Sequence, residues 1–121
     1  MRLTGLEAPA FMDAPGAVIR GADWGGLRCV HIELGPGTDL GPVLKGLPDD
    51  RCPVPHWGYV LKGSITVGYT DGHEETLRAG DLFYLPPGHS PRTDEGVTFV
   101  EFSPEREIQE VFDHVGRQMQ G

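Results

Sequence analysis

Apolar side chains recur along most of this chain with a period of two, and only near its C-terminal end with a period close to 3.6. Ala17 to Arg20 reads as a short strand, and Gly21 to Gly26, with Asp23 among its glycines, as a turn. Leu27 to Leu34 is a second strand, closed by Gly35, Pro36 and Gly37. A connection containing glycine and proline leads from there to Asp50. Strands follow over Gly58–Lys62 and Ser64–Tyr69, joined tightly at Lys62 and Gly63. Ile65, Val67 and Tyr69 alternate with Ser64, Thr66 and Gly68, the mark of a half-buried strand. Asp71-Gly72 is a hairpin signal, and Glu75 to Leu77 is the returning strand. Gly80 and Asp81 turn into Leu82–Leu85, which Pro86, Pro87 and Gly88 stop. Val97 to Phe102 is the last strand.

The tail obeys a different rule. Ser103 is a suitable N-cap and Pro104 a suitable first helical residue. Ile108, Val111, Phe112, Val115 and Met119 then form one helical stripe over about 104–119. Many short strands and one late helix predict an all-β sandwich or barrel, with a core over about 17–102, rather than a parallel βαβ fold. Within Leu27–Leu34 the predicted buried set is Val30, Ile32 and Leu34, which leaves His31 toward solvent. Cys29 in the same apolar stretch is expected to be a buried packing thiol.

At 121 residues the chain is expected to be a single domain, 1–121, large enough to fold without disulfide or metal staples. Its 18 glycines and 11 prolines follow no period and serve as turn punctuation. The net charge of −8 argues against nucleic-acid and anionic-membrane partners. No apolar run approaches the length of a membrane span, and the first residues lack the apolar stretch of a secretory signal, so a cytoplasmic location is expected. In that compartment a Cys29–Cys52 disulfide is disfavoured.

Chemistry concentrates in two places. In the run from Asp50 to Gly58, Pro53 and Pro55 stiffen an extended connection, and His56 opens a strand. Asp50 and Cys52 are two residues apart and would share one side of an extended chain. Carboxylate, thiol and imidazole are the donors a divalent metal takes, zinc first. The other place is Pro86-Pro87-Gly88-His89, where a strand ends and His89 leaves the turn directly. Each residue also has a structural reading. His56 and His89 could bond backbone, Cys52 could be an inert thiol, and Asp50 reads more naturally as a solvated turn residue. Glu101, between Val100 and Phe102, is either on the solvent face, the reading we favour, or a pocket acid. Tyr84 is either a core aromatic or a hydroxyl at the pocket mouth. Trp57 and Tyr59 point opposite to His56 by strand alternation. His73 and His114 are expected on polar surfaces.

The run from Asp50 to Phe102 resembles the cupin family, whose two motifs are G-x5-H-x-H-x3/4-E-x6-G and G-x5-P-x-G-x2-H-x3-N. Gly80, Pro86 and Gly88 match the second, and Tyr59 to Gly63 match the close of the first. Counted back from Gly63, His56 stands at the family's glutamate, Cys52 at its second histidine and Asp50 at its first. Pro91 and Glu95 occupy the second motif's histidine and asparagine positions, with His89 two residues earlier. The resemblance implies a cupin-type double-stranded β-helix, or jelly roll. It also implies a variant metal site of Cys52, His56 and His89, with Asp50 as a weaker fourth ligand. The metal is expected to be divalent, with zinc ahead of iron.

Two functional readings remain open at this point. One is a metal-dependent enzyme of oxygenase, isomerase or lyase type acting on a small organic molecule, with Glu101 and Tyr84 as catalytic candidates. The other is a non-catalytic module that binds or senses a small molecule without metal. A storage or structural domain with a vestigial pocket is a distant third. Exposed apolar faces also lead us to expect a homodimer.

Overall fold

The computed structural model describes residues 1–120. Its eight strands are β1 (Ala10–Ala14), β2 (Ala17–Trp24), β3 (Leu27–Leu34), β4 (His56–Tyr69), β5 (Glu74–Arg78), β6 (Leu82–Leu85), β7 (His89–Arg92) and β8 (Val97–Pro104). A helical turn, α1 (Gly41–Leu44), precedes β4, and α2 (Glu105–Gln120) closes the described chain. The strand order is β1-β2-β3-β8-β4-β5, with β6 and β7 also bonded to β4, and every strand pairing is antiparallel. This is the jelly-roll arrangement that the resemblance implies.

β4 organises the fold. Its first half lies between β8 and β6, and its second half between β5 and β7. Lys62 and Gly63 therefore do not join two strands, as the sequence suggests; one strand runs through them. The register slips between Val60 and Lys62, where β8 advances only from Phe99 to Thr98, so Leu61 is an extra residue. A bulge shifts alternation by one. His56 and Val60 point inward before it, and Ile65, Val67 and Tyr69 after it. Gly63 has φ +77°, and a Cβ there would lie 2.1 Å from the Gly96 carbonyl oxygen, so the bend needs a glycine.

The inner faces of β3 and β8 meet in register: Val30 opposite Glu101, Ile32 opposite Phe99 and Leu34 opposite Val97. The buried set of β3 includes Arg28. Its guanidinium makes two bonds to the Asp23 carboxylate and one to Gln109 of α2, and lies over the Phe11 and Phe112 rings. Arg28 thereby ties α2 to the barrel. Ile108, Val111 and Val115 of α2 pack against Leu44, Cys52 and Val54, a burial contributing about 1.5–3 kcal/mol for each large apolar side chain.

Several expectations need correction. Cys29 is only partly covered, because the buried parity of β3 belongs to Arg28, Val30, Ile32 and Leu34. His31 is half-buried rather than exposed, since its ring lies beneath Gly5 of the N-terminal segment. β1 and β7 are additional strands, β2 runs through Gly21 to Trp24, and α2 spans 105–120. Met119 is exposed, as the last turn of α2 extends past the packed stripe. Ser103 is still strand, with consequences described below.

Gly58 is where β4 packs most closely. A Cβ there would sit 2.2 Å from the Val100 carbonyl oxygen and 2.4 Å from the Phe83 ring. Gly58→Ala is expected to cost about 1–3 kcal/mol by overpacking, read as a lower denaturation midpoint. An unchanged midpoint would contradict this packing.

Candidate metal centre

Cys52 and His56, from one stretch, and His89, from another, come together inside the barrel. Pro53 and Pro55 keep the chain extended between Cys52 and the start of β4. Cys52 is itself held by a one-residue bridge to His89. Its N–H donates to the His89 carbonyl at 2.9 Å, and its own carbonyl accepts from Gly88 N–H at 2.8 Å. The Pro86-Pro87-Gly88 turn thus places His89 directly beside Cys52. His56 pairs with Leu85 across β4 and β6, so the strand that leads into that turn lies alongside His56.

All three side chains are buried, His89 to 1% exposure. Their donor atoms lie within 4.8 Å of one another, and Cys52 Sγ is 3.6 Å from His56 Nε2. The two rings meet edge to face with centroids 4.6 Å apart. Outer partners orient them. His89 Nδ1–H donates to the Pro86 carbonyl at 2.7 Å, which leaves Nε2 with a free lone pair. His56 Nδ1 is 2.6 Å from Ser103 Oγ, so its Nε2 faces Cys52. Tetrahedral bonds of ~2.3 Å to sulfur and ~2.0–2.1 Å to nitrogen set such donors roughly 3.5 Å apart. The Cys52–His56 separation fits that geometry, and so does the chemistry of the donor set.

The remaining sequence candidates fall elsewhere. Asp50 is exposed and accepts a hydrogen bond from Gly46 N–H at 2.9 Å. It is no part of the cluster, because Asp50 itself ends a turn in the left-handed region, with φ +54°, and the alternation that would align it with Cys52 fails there. Tyr84 is neither core nor pocket. Phe83 and Leu85 take the inward positions of β6, and Tyr84 packs outside against Trp57 at 5.4 Å. Trp57 and Tyr59 are exposed on the face away from His56. His73 is exposed beside Asp71, and His114 bonds the Lys45 carbonyl.

Glu101 departs from the favoured solvent reading. It shares the inner parity of β8 with Val97, Phe99 and Ser103, and is buried with Oε2 3.7 Å from His56 Nδ1. Ser103 was missed as a site residue. Its N-cap pattern masked a simpler signal: odd-numbered positions from Val97 onward all face inward, and the following proline keeps Ser103 extended.

The surroundings are apolar. A cavity of about 100 Å³ opens between the barrel and α2, and only Cys52, His56, His89 and Glu101 interrupt its hydrocarbon lining. Burial pushes the Cys52 thiol up to about 12, with the Glu101 charge adding to that, against a contrary pull from a backbone hydrogen bond at Val54. Burial also holds His56 well below the usual imidazole range, helped by His89, and lowers His89 as well. Burial raises Glu101 to about 8.

Such shifts make folding pH-dependent. Below its ordinary value of 4.5 Glu101 is protonated whether the chain is folded or not. As pH rises toward about 8, only the unfolded chain ionises freely there, so the folded state loses stability. The two histidines act oppositely: they favour unfolding as pH falls below 6.5. In metal-stripped protein, Glu101→Gln is therefore expected to gain stability relative to the parent as pH rises from about 4.5 to about 8. Urea titrations across that range measure it, and a pH-independent difference would contradict the buried acid.

The Cupin domain family profile matches residues 31–96, a stretch that includes Cys52, His56 and His89 and stops short of Glu101 and Ser103. No curated protein matches the chain. Its fold is similar to that of an RmlC-like cupin from Shewanella frigidimarina NCIMB 400, at 21% identity and TM-score 0.61, over 84% of this chain and 88% of that one. KdgF from Halomonas sp. is similar at 23% identity and TM-score 0.60, over 84% and 92% of the two chains. Oxalate decarboxylase from Bacillus subtilis, described with Mn(II) centers, is similar at 22% identity and TM-score 0.60, over 84% of this chain and 28% of that one. At these identities the likeness concerns the fold alone. The profile spans more than half of the sequence, and the chain belongs to the cupin family.

Proposed function

We propose that this cupin holds one divalent ion, zinc in the first instance, through Cys52 Sγ and the Nε2 atoms of His56 and His89, and uses it to bind a small organic ligand in the barrel cavity. The observation that carries this reading is the convergence of three buried donor atoms within 4.8 Å, with a separate partner holding each Nδ1. When bound, such an ion supplies Lewis-acid polarisation of a ligand atom at its open position. The chain's own residues do the rest. Ser103 and the Pro86 carbonyl fix the ring orientations, Glu101 borders the ligand space, and the apolar walls exclude water. A cytoplasmic setting suits the reading because it keeps Cys52 reduced.

Elemental analysis of protein made without a histidine tag is the test. About one metal per chain is expected, lost in Cys52→Ser and in His89→Ala. Ser103→Ala should weaken metal affinity about 10–100-fold while leaving stoichiometry attainable at high metal. Protein that neither retains nor rebinds metal would contradict the reading and leave the metal-free binding module in its place.

We also propose a homodimer formed through the outer face of β8, β4 and β6. Trp57 pairs there with both Phe102 and Tyr84, and Tyr59 with Leu82, all of them exposed. Contiguous apolar surface of this kind marks contact sites. Light scattering at micromolar concentration is expected to give twice the 13.2 kDa chain mass, and Trp57→Glu should return it to one. A monomeric parent protein would contradict this.

A further inference from the structure

We infer that the ligand of this cavity is a small uncharged molecule with a hydrocarbon body and a single hydroxyl group, of about four to six non-hydrogen atoms, placed with its hydroxyl toward Glu101. The inference deepens the functional reading above and rests on it for the location of the ligand.

Size is the first argument. An apolar protein cavity of about 150 Å³ takes a benzene ring, and this one measures about 100 Å³. Walls are the second. Barrel residues such as Ile32, Leu85 and Phe99 face Val111 and Phe112 of α2 across the space. Among the described residues, no lysine, arginine, amide or hydroxyl side chain lines it. A polyol would leave several hydroxyls without partners, and a carboxylate would have to share a small apolar space with the Glu101 carboxyl.

Glu101 is the third. It is 8% exposed, borders the cavity, and has no hydrogen-bond partner among the described residues; its nearest polar neighbour is His56 Nδ1 at 3.7 Å. A buried carboxyl left without a partner calls for one. A hydroxyl suits it in either protonation state, since a hydroxyl both donates and accepts.

Titration calorimetry on the protein as purified, with its metal content measured beside it, tests the inference. The probes are isopentanol, cyclopentanol, glycerol and oxalate, which share one heavy-atom count. Saturable binding of the two alcohols is expected, at least tenfold tighter than glycerol or oxalate. Glu101→Leu should weaken the alcohols at least threefold with metal content unchanged, and Val111→Phe should abolish their binding by filling the space. Alcohol binding by protein that neither retains nor rebinds metal would support the inference while the metal reading falls. Metal-loaded protein that ignores both alcohols, or that prefers glycerol or oxalate, would overturn the inference and leave the metal reading standing.

Discussion

The structure depends on one strand serving two sheets without turning its apolar side chains outward. β4 bonds to β5, β6, β7 and β8, and only the extra residue at Leu61 lets both of its halves face the same interior. The site follows from that geometry. With the inward parity fixed before the bulge, His56 faces the cavity and Trp57 the outside. The neighbouring β8 then presents Ser103 and Glu101 to the same ring nitrogen, Nδ1 of His56. Loss of the bulge would exchange the faces of one half of β4 relative to the other.

The donors are buried at a point where burial is costly for charge. Both imidazoles are pushed toward their neutral, ligating form, whereas the thiol is pushed away from the thiolate that a metal needs. A divalent ion reverses the second effect, because its own charge outweighs the desolvation that protects the proton on sulfur. The site is therefore poorly poised as a reactive thiol on its own and well poised as one ligand of three. Cupin membership sets the fold and does not select among chemistries. What distinguishes this cavity is its hydrocarbon lining and the single unpartnered carboxyl within it.

Much of this was legible in the chain. The prolines around Cys52 and the Pro86-Pro87-Gly88 turn marked the three donors, and helical spacing marked α2. The faces of β6 and β8 were not legible, for a physical reason. Both faces of these strands carry apolar residues, because the outer face bears Leu82 and Tyr84 on β6 and Phe102 on β8. Alternation then has two solutions, and only strand register chooses between them. Glu101 and Tyr84 were misplaced on that account. On β3 the buried set was legible, and His31 departed from expectation only because Gly5 of the distant N-terminal segment covers its ring. β7 escaped notice because Pro91 lies within it, and proline in a strand usually argues against one. Asp50 looked like a ligand only while the chain before Cys52 was taken as extended.

The central claim is that a sulfur and two imidazole nitrogens share one interior point. X-ray absorption at the edge of the bound metal tests it most directly. The expected first shell contains one sulfur at ~2.3 Å and two imidazole nitrogens at ~2.0–2.1 Å. A first shell of nitrogen and oxygen alone in the parent protein would contradict it.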